Sequence, residues 1–328
     1  MDLKTELKKR ADVFNVELEK FLKGGKPDTL YNAARHLPLA GGKRLRPVMS
    51  MIACEATGGN PDDVMPVAIA SEIIHNFTLV HDDIMDKSKL RRNMPTVHIK
   101  YNEPTAIIAG DLLYTKAFES LENLDVETVV YKKILHNFVS VIREICEGQQ
   151  IDMDFEQSKI VSEDEYLEMI RKKTAVFFQY AAEAGGLIGH GSDDQVKALN
   201  TYGNCLGLGF QIQDDYLDMS STAETLGKDI GNDIRNGKKT LIAVHSLSNS
   251  RGEDNKILQR VFGNVNATEK EIKEVYNIFK RNGSIKYAKK KAQIYNLKAK
   301  KALDALDDSD AKQILIDLAD YSTIKREK

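Results

Sequence analysis

Apolar residues recur at i, i+3 and i+4 through most of the chain, and strand-like alternation is rare. That spacing predicts an all-α protein. A first amphipathic helix covers roughly residues 2–22 and stops at Gly24-Gly25, with Pro27 beyond; a short helix then reaches about Leu37. Met49 to Thr57 reads as a helix ended by Gly58, Gly59, Asn60 and Pro61. Pro66 then opens a central helix. Further helices are predicted over Thr105 to Leu121 and Val126 to about Phe155. Ser162 and Glu165 form a capping box for a helix running through Gly189. Thr201 to Met219 is helical, Gly227 to Thr240 is a mobile loop rich in glycine and lysine, and helical patterning alone follows Leu241. No linker divides the pattern, so residues 1–328 are expected to form a single domain.

The polar residues that interrupt these helices are not scattered. HDDIMD ends the central helix and places Asp82 and Asp86 four apart on one face, with Asp83 beside them. Stacked carboxylates repel, and a divalent cation removes the penalty. Oxygen-only ligands suit Mg²⁺, which keeps several waters and takes one or two carboxylates plus substrate phosphates. One such triplet is a common solvated face, but QDDYLD repeats it as Asp214, Asp215 and Asp218, again behind apolar residues. Two clusters ending apolar helices can face one another across a cavity and hold Mg²⁺ together with a diphosphate.

Cations accompany the acids. Gly41-Gly42-Lys43-Arg44-Leu45-Arg46-Pro47 is a turn whose backbone and charges suit an anion at the entrance to a helix. An ordinary basic loop is the bland alternative. Arg91 and Arg92 lie between the central helix and the next, with the fork geometry that phosphate oxygens favour. Lys173-Thr174 sits in mid-helix among apolar residues, where a charge needs an anionic partner. His75 is seven residues before Asp82 and Gln211 four before Asp215, each on the aspartate's face. Gly185, Gly186 and Gly189 follow a helix rather than a strand, which points to close helix packing, not dinucleotide binding.

Composition narrows the picture without changing it. The chain is 42% hydrophobic and 29% charged with a net charge of −2, which predicts a soluble globular protein with no electrostatic affinity for nucleic acid. Cys54, Cys146 and Cys205 are widely spaced and read as buried reduced thiols of a cytoplasmic protein. No run of eighteen apolar residues predicts a transmembrane segment, and the N-terminus has no apolar core of a signal peptide.

HDDIMD followed by Arg91-Arg92, QDDYLD and GGKRLRP together resemble the trans-isoprenyl diphosphate synthases, or polyprenyl synthetases; by motif the resemblance covers residues from about 40 to 240. It implies an isoprenoid synthase fold, with helices around a central cavity, in a homodimer. It also implies condensation of isopentenyl diphosphate with allylic diphosphates, using Mg²⁺ held by Asp82, Asp86 and Asp214. Isopentenyl diphosphate would be bound by Lys43, Arg46, His75 and Arg92, and the allylic diphosphate by Arg91, Lys173, Thr174 and Lys228, with Gln211 and Lys238 as further ligands. Arg44 and His81 receive no such role; Arg44 is expected in solvent. The same resemblance picks Lys173 and leaves neighbouring Lys172 at the surface. Gln149 and Asp152 match a GQxxD motif and are assigned no catalytic step. Phe77 and Thr78, just upstream of Asp82, would limit product length, and an uninterrupted DDIMD with one aromatic resembles archaeal short-chain enzymes that make geranylgeranyl diphosphate. A farnesyl or mixed farnesyl/geranylgeranyl synthase is the near alternative. A class I terpene cyclase normally lacks the second DDxxD and GGKRLRP, and a non-catalytic subunit would have lost a cluster or a phosphate-binding cation.

Overall fold

A computed structural model describes residues 2–158, 160–220 and 228–323, apart from the side chains of Ser220, Lys228, Asp229, Ile230 and Asn232. The described residues are all-α save for one two-residue ladder. In order the chain forms α1 (Leu3–Phe21), α2 (Asp28–His36), α3 (Leu45–Ala56), α4 (Met65–Met85), β1 (Leu90–Arg91), β2 (Met94–Pro95), α5 (Val97–Lys100), α6 (Glu103–Leu121) and α7 (Thr128–Gln157). There follow α8 (Glu163–Ile170), α9 (Val176–Ile188), α10 (Asp193–Ser220), α11 (Lys228–Asn236), α12 (Leu241–Asn249), α13 (Gly252–Val261), α14 (Glu269–Arg281), α15 (Ser284–Ala302) and α16 (Asp310–Thr323).

The chain makes two compact units. The first comprises Met1–Val139, Tyr180–Asn200 and Leu303–Leu315. Its axis is α4, in which Val67 to Ile74 are buried without a break, so the helix is covered on every side there and packs on α3 and α6. Phe14, Met49, Ile52, Ile73 and Leu113 fill the core around it. Ser71, Glu72 and Asn76 are buried in its middle, the aspartates follow at its C-terminus, and Lys87 then turns the chain at φ 53°. Arg92 and Asn93 also take positive φ, joining β1 to β2 in the tight turn that matches strand twist. The second unit comprises Ser140–Gln179, Thr201–Ala302 and Ile316–Lys328. Its core gathers Tyr166, Ile170, Ile212, Leu241, Leu258, Val275 and Phe279.

Three expectations are corrected. The helix opened by the Ser162 capping box is not continuous: α8 and α9 are separated by one π turn, Arg171–Ala175. Lys228–Asn236 is helical rather than a loop, because Ile234 is fully buried and anchors the turn. Cys146 is exposed, while Cys54 and Cys205 are buried as expected. Close packing at Gly185 is found: a Cβ there would lie 2.3 Å from the Ser50 carbonyl oxygen.

Candidate active site

In the first unit the GGKRLRP segment turns at Gly41 (φ 88°) and Gly42 (φ 141°) and reaches Arg44 at φ 50° before α3 begins. The turn splits the cations. Lys43 is exposed, whereas Arg44 is directed inward and is 3% exposed, correcting its expected place in solvent. Arg44 pairs with Glu72 of α4 at 2.5 Å, and donates to Asn15 Oδ1 at 2.9 Å and to the Pro38 carbonyl at 2.6 Å. This pair ties the loop to the central helix. Removing one partner of a buried ion pair strands the other charge, so Glu72→Gln is expected to cost about 3–5 kcal/mol in denaturant unfolding. A variant as stable as the parent would show that the pair does not anchor the loop.

Arg46 follows on α3, and burial pushes its guanidinium down to about 10, so it stays charged. Arg92 donates to the carbonyls of Gly41 and, at 3.3 Å, of Leu37, which places it against the same turn. His75 of α4 faces this group. Burial, and then Arg46, Arg92, Arg91 and Arg44, hold its imidazole well below the ordinary histidine range. It is therefore a neutral hydrogen-bonding group at pH 7. Glu72 and Asp83 already offset part of the charge of these arginines, through Arg44 and Arg91, and a diphosphate beside Arg46 and Arg92 would offset more.

Arg91 diverges from Arg92, as adjacent residues of a strand and its turn must. Its Nε donates to both oxygens of Asp83, at 2.8 and 3.0 Å, and its guanidinium also meets Asp83 at 2.8 Å. Asp83 is 1% exposed; burial raises its pKa, and Arg91 opposes the rise. Asp82 is only half-buried and Asp86 is exposed. The first cluster thus has one inward, braced carboxylate and two outward ones.

The second unit repeats that division. Asp215 is 5% exposed, accepts from Tyr166 Oη at 2.7 Å and from Gln211 Nε2 at 3.1 Å, and is pushed up to about 6 by burial against the pull of Lys238. Asp214 and Asp218 are half-buried. Beside Asp215 is a cavity of about 100 Å³ whose walls include Lys173, Thr174, Gln211 and Lys238. Lys173 donates to Asp152 at 2.6 Å, and the Thr174 hydroxyl donates to Gln211 Oε1 at 3.1 Å. Burial works against the charge on Lys238, but Asp215, Asp233, Asp218 and Asp152 raise its pKa above that of an ordinary lysine. Lys172 is half-buried and pairs with Glu147 at 2.7 Å, so it is not simply exposed. The Lys228 side chain lies outside the described residues.

Tyr166 is not singled out by the sequence. Its only signal there is an aromatic on a mixed helix face, which core packing explains equally well. Asp152 matches a motif, but its partner Lys173 is visible only in the fold. Below the first cluster, Thr78 donates to the His75 carbonyl at 2.8 Å, while Phe77 packs its ring edge against His81 (4.8 Å) and Tyr114 (5.5 Å).

The outward carboxylates suit Mg²⁺. Among the described residues no three His, Cys, Asp or Glu side chains gather into a protein-made cage.

The polyprenyl synthetase profile matches residues 27–279. A geranylgeranyl diphosphate synthase of Methanosarcina mazei is 44% identical over 321 residues, covering 98% of this chain and 97% of that protein. The crystal structure of a geranylgeranyl pyrophosphate synthetase from Pyrococcus horikoshii is similar with a TM-score of 0.93 at 39% identity, covering 99% of this chain and 98% of that one. A polyprenyl synthase from Caulobacter crescentus, crystallised with calcium and isoprenyl diphosphate, is similar at 31% identity and a TM-score of 0.87, with 99% and 98% coverage. Among the described residues no helix is long and apolar enough to cross a membrane.

Proposed function

The chain belongs to the polyprenyl synthetase family, and from that premise we propose that it condenses isopentenyl diphosphate with allylic diphosphates up to geranylgeranyl diphosphate. The observation that carries this reading is the division of labour common to both aspartate clusters. Asp83 and Asp215 are buried, whereas Asp82, Asp86, Asp214 and Asp218 occupy the more open positions. Two such clusters suit a metal-dependent prenyltransferase, whereas a cyclase normally lacks the second, and neither a cyclase nor a non-catalytic subunit needs the first unit's arginine group as well.

Asp82, Asp86 and Asp214 would hold Mg²⁺, which when bound neutralises charge on a departing diphosphate. Lys173, Thr174 and Lys238 bind the allylic diphosphate, with Arg91 and Lys228 as the further cations implied by the motifs. Their charges are fixed before reaction, so they stabilise the anion released when the allylic C–O bond breaks without reorganising. Lys43, Arg46, Arg92 and neutral His75 hold isopentenyl diphosphate, orienting its double bond toward the allylic carbon. The new C–C bond forms from that double bond, and the released diphosphate takes the proton whose loss completes the product. Arg44 takes no part in binding; it braces the loop through Glu72.

The working unit is read as one cytoplasmic polyprenyl synthetase domain in a homodimer. Exposed Ile107, Ile108 and Tyr114 on α6 support association of two copies. The test of activity uses purified protein, Mg²⁺, labelled isopentenyl diphosphate and, separately, dimethylallyl, geranyl and farnesyl diphosphates. Elongation that stops at geranylgeranyl diphosphate and is abolished by EDTA is expected. Cyclic hydrocarbon from a single substrate would favour the cyclase, and no incorporation with any starter would favour the non-catalytic subunit.

A further inference from the structure

The π turn between α8 and α9 is clamped on both sides, and the clamp is built around two glycines. The Val176 N–H reaches back to the Arg171 carbonyl, five residues away, so this turn holds one residue more than an α-helix would. Without that extra residue, Lys173 and Thr174 would point elsewhere, since each position in a helix turns the side chain by about 100°. On one side stands α7. Its Glu144, Glu147 and Asp152 each take one cation of the turn: Arg171 at 2.7 Å, Lys172 at 2.7 Å and Lys173 at 2.6 Å. Gly148 lies among them, and a Cβ there would stand 2.4 Å from the Lys173 nitrogen, 2.8 Å from its Cα and 2.9 Å from the Lys172 carbonyl carbon. These are backbone atoms, which cannot swing aside.

On the other side stands α10. A Cβ at Gly207 would lie 2.5 Å from the Ala175 Cα and 2.8 Å from its Cβ. One turn further along α10, Gln211 accepts from Thr174 at 3.1 Å and donates to Asp215 at 3.1 Å. Both walls therefore combine a glycine that admits the turn with a polar side chain that takes hold of it.

We propose that Gly148 and Gly207 are positioning residues for the allylic diphosphate: by letting α7 and α10 close on the π turn, they aim Lys173 and Thr174 into the cavity. The assignment rests on the prenyl-transfer reading above. A methyl group at Gly148 must drive the Lys173 backbone back by about 1 Å to regain ordinary contact, and displacements of that size can cost about 10²-fold when they misplace a reacting group.

The test compares Gly148→Ala and Gly207→Ala with Gly209→Ala. A Cβ at Gly209, on the same helix, would meet mainly the Cγ2 of Thr323 at 2.9 Å, a side-chain end away from the π turn. KM is measured for geranyl diphosphate at saturating isopentenyl diphosphate and the reverse, alongside thermal unfolding. The first two variants are expected to raise the KM for geranyl diphosphate at least ~10-fold while that for isopentenyl diphosphate stays within ~2-fold, and Gly209→Ala to match the parent. An unchanged KM for geranyl diphosphate, an equal rise for both substrates, or the same rise in Gly209→Ala overturns the assignment. Should the alanine variants be insoluble, the double variant Glu144→Gln/Glu147→Gln loosens the same turn without adding volume. Its KM for geranyl diphosphate is expected to rise about 3-fold, as the exposed part of the clamp is weak, and no rise overturns the assignment. Failure of the parent enzyme to elongate any starter condemns the functional reading itself, an outcome distinct from all of these.

Discussion

Asp82→Asn and Asp214→Asn are each expected to lower the rate of condensation about 10²–10³-fold, the loss seen when one group aimed at developing charge is removed. Their Mg²⁺ half-saturation should rise with it. Asp83→Asn provides the contrast. Asp83 is 1% exposed and accepts both Nε contacts of Arg91, so its loss releases an arginine rather than a metal ligand. The variant is expected to be less stable and slower with the allylic substrate, but to keep the parent's Mg²⁺ half-saturation. Rates titrated against Mg²⁺ at fixed substrate separate these cases. A shift in metal dependence for Asp83→Asn, or parent-like behaviour of Asp82→Asn, would overturn the division between inward and outward carboxylates.

That division shows where sequence reading stops. Spacing places Asp82 and Asp86 on one helical face and their counterparts likewise, but period alone ranks the three aspartates of a cluster only loosely. Their roles depend on what packs beside them: Arg91 from a tight turn for Asp83, and Tyr166 from another helix for Asp215. The all-α class and most helix ends were legible because Pro66, Gly58 and the Ser162 capping box act locally. Arg44 was not. In GGKRLRP the choice of which cation faces inward is made by the left-handed conformation at Arg44 and by Glu72, twenty-eight residues away. The π turn was hidden for a similar reason, since one extra residue in a turn leaves the apolar pattern of α8 and α9 readable as one helix. Lys228–Asn236 misled in the opposite direction: its glycines and lysines suggest a loop, but burial of Ile234 outweighs their propensity.

Phe77→Ala is expected to lengthen the product beyond geranylgeranyl diphosphate by one or more prenyl units. Five residues before Asp82, Phe77 lies about 7.5 Å down the α4 axis, whereas Thr78 is just over one full turn below Asp82 and shares its face. Phe77 lies about 100° further round and turns toward α6, where its ring meets Tyr114 at 5.5 Å. Tyr114 meets Phe118 at 5.3 Å, which meets Phe138 at 5.4 Å. A prenyl chain passing Thr78 therefore meets the first ring of an aromatic series. Removing that ring opens space without opening the whole series, because Tyr114 and Phe118 remain as the next obstruction. Since Phe77 is only half-buried, its truncation should cost less than the ~3–5 kcal/mol of a fully buried phenylalanine, and the enzyme should stay folded. Thr78→Phe makes the opposite prediction: a ring on the Asp82 face, one turn below it, should shorten the product toward farnesyl diphosphate. Chromatography of the dephosphorylated products reads both variants. An unchanged length in Phe77→Ala would mean that the stop lies elsewhere, and a longer product from Thr78→Phe would mean that the chain does not grow along this face of α4.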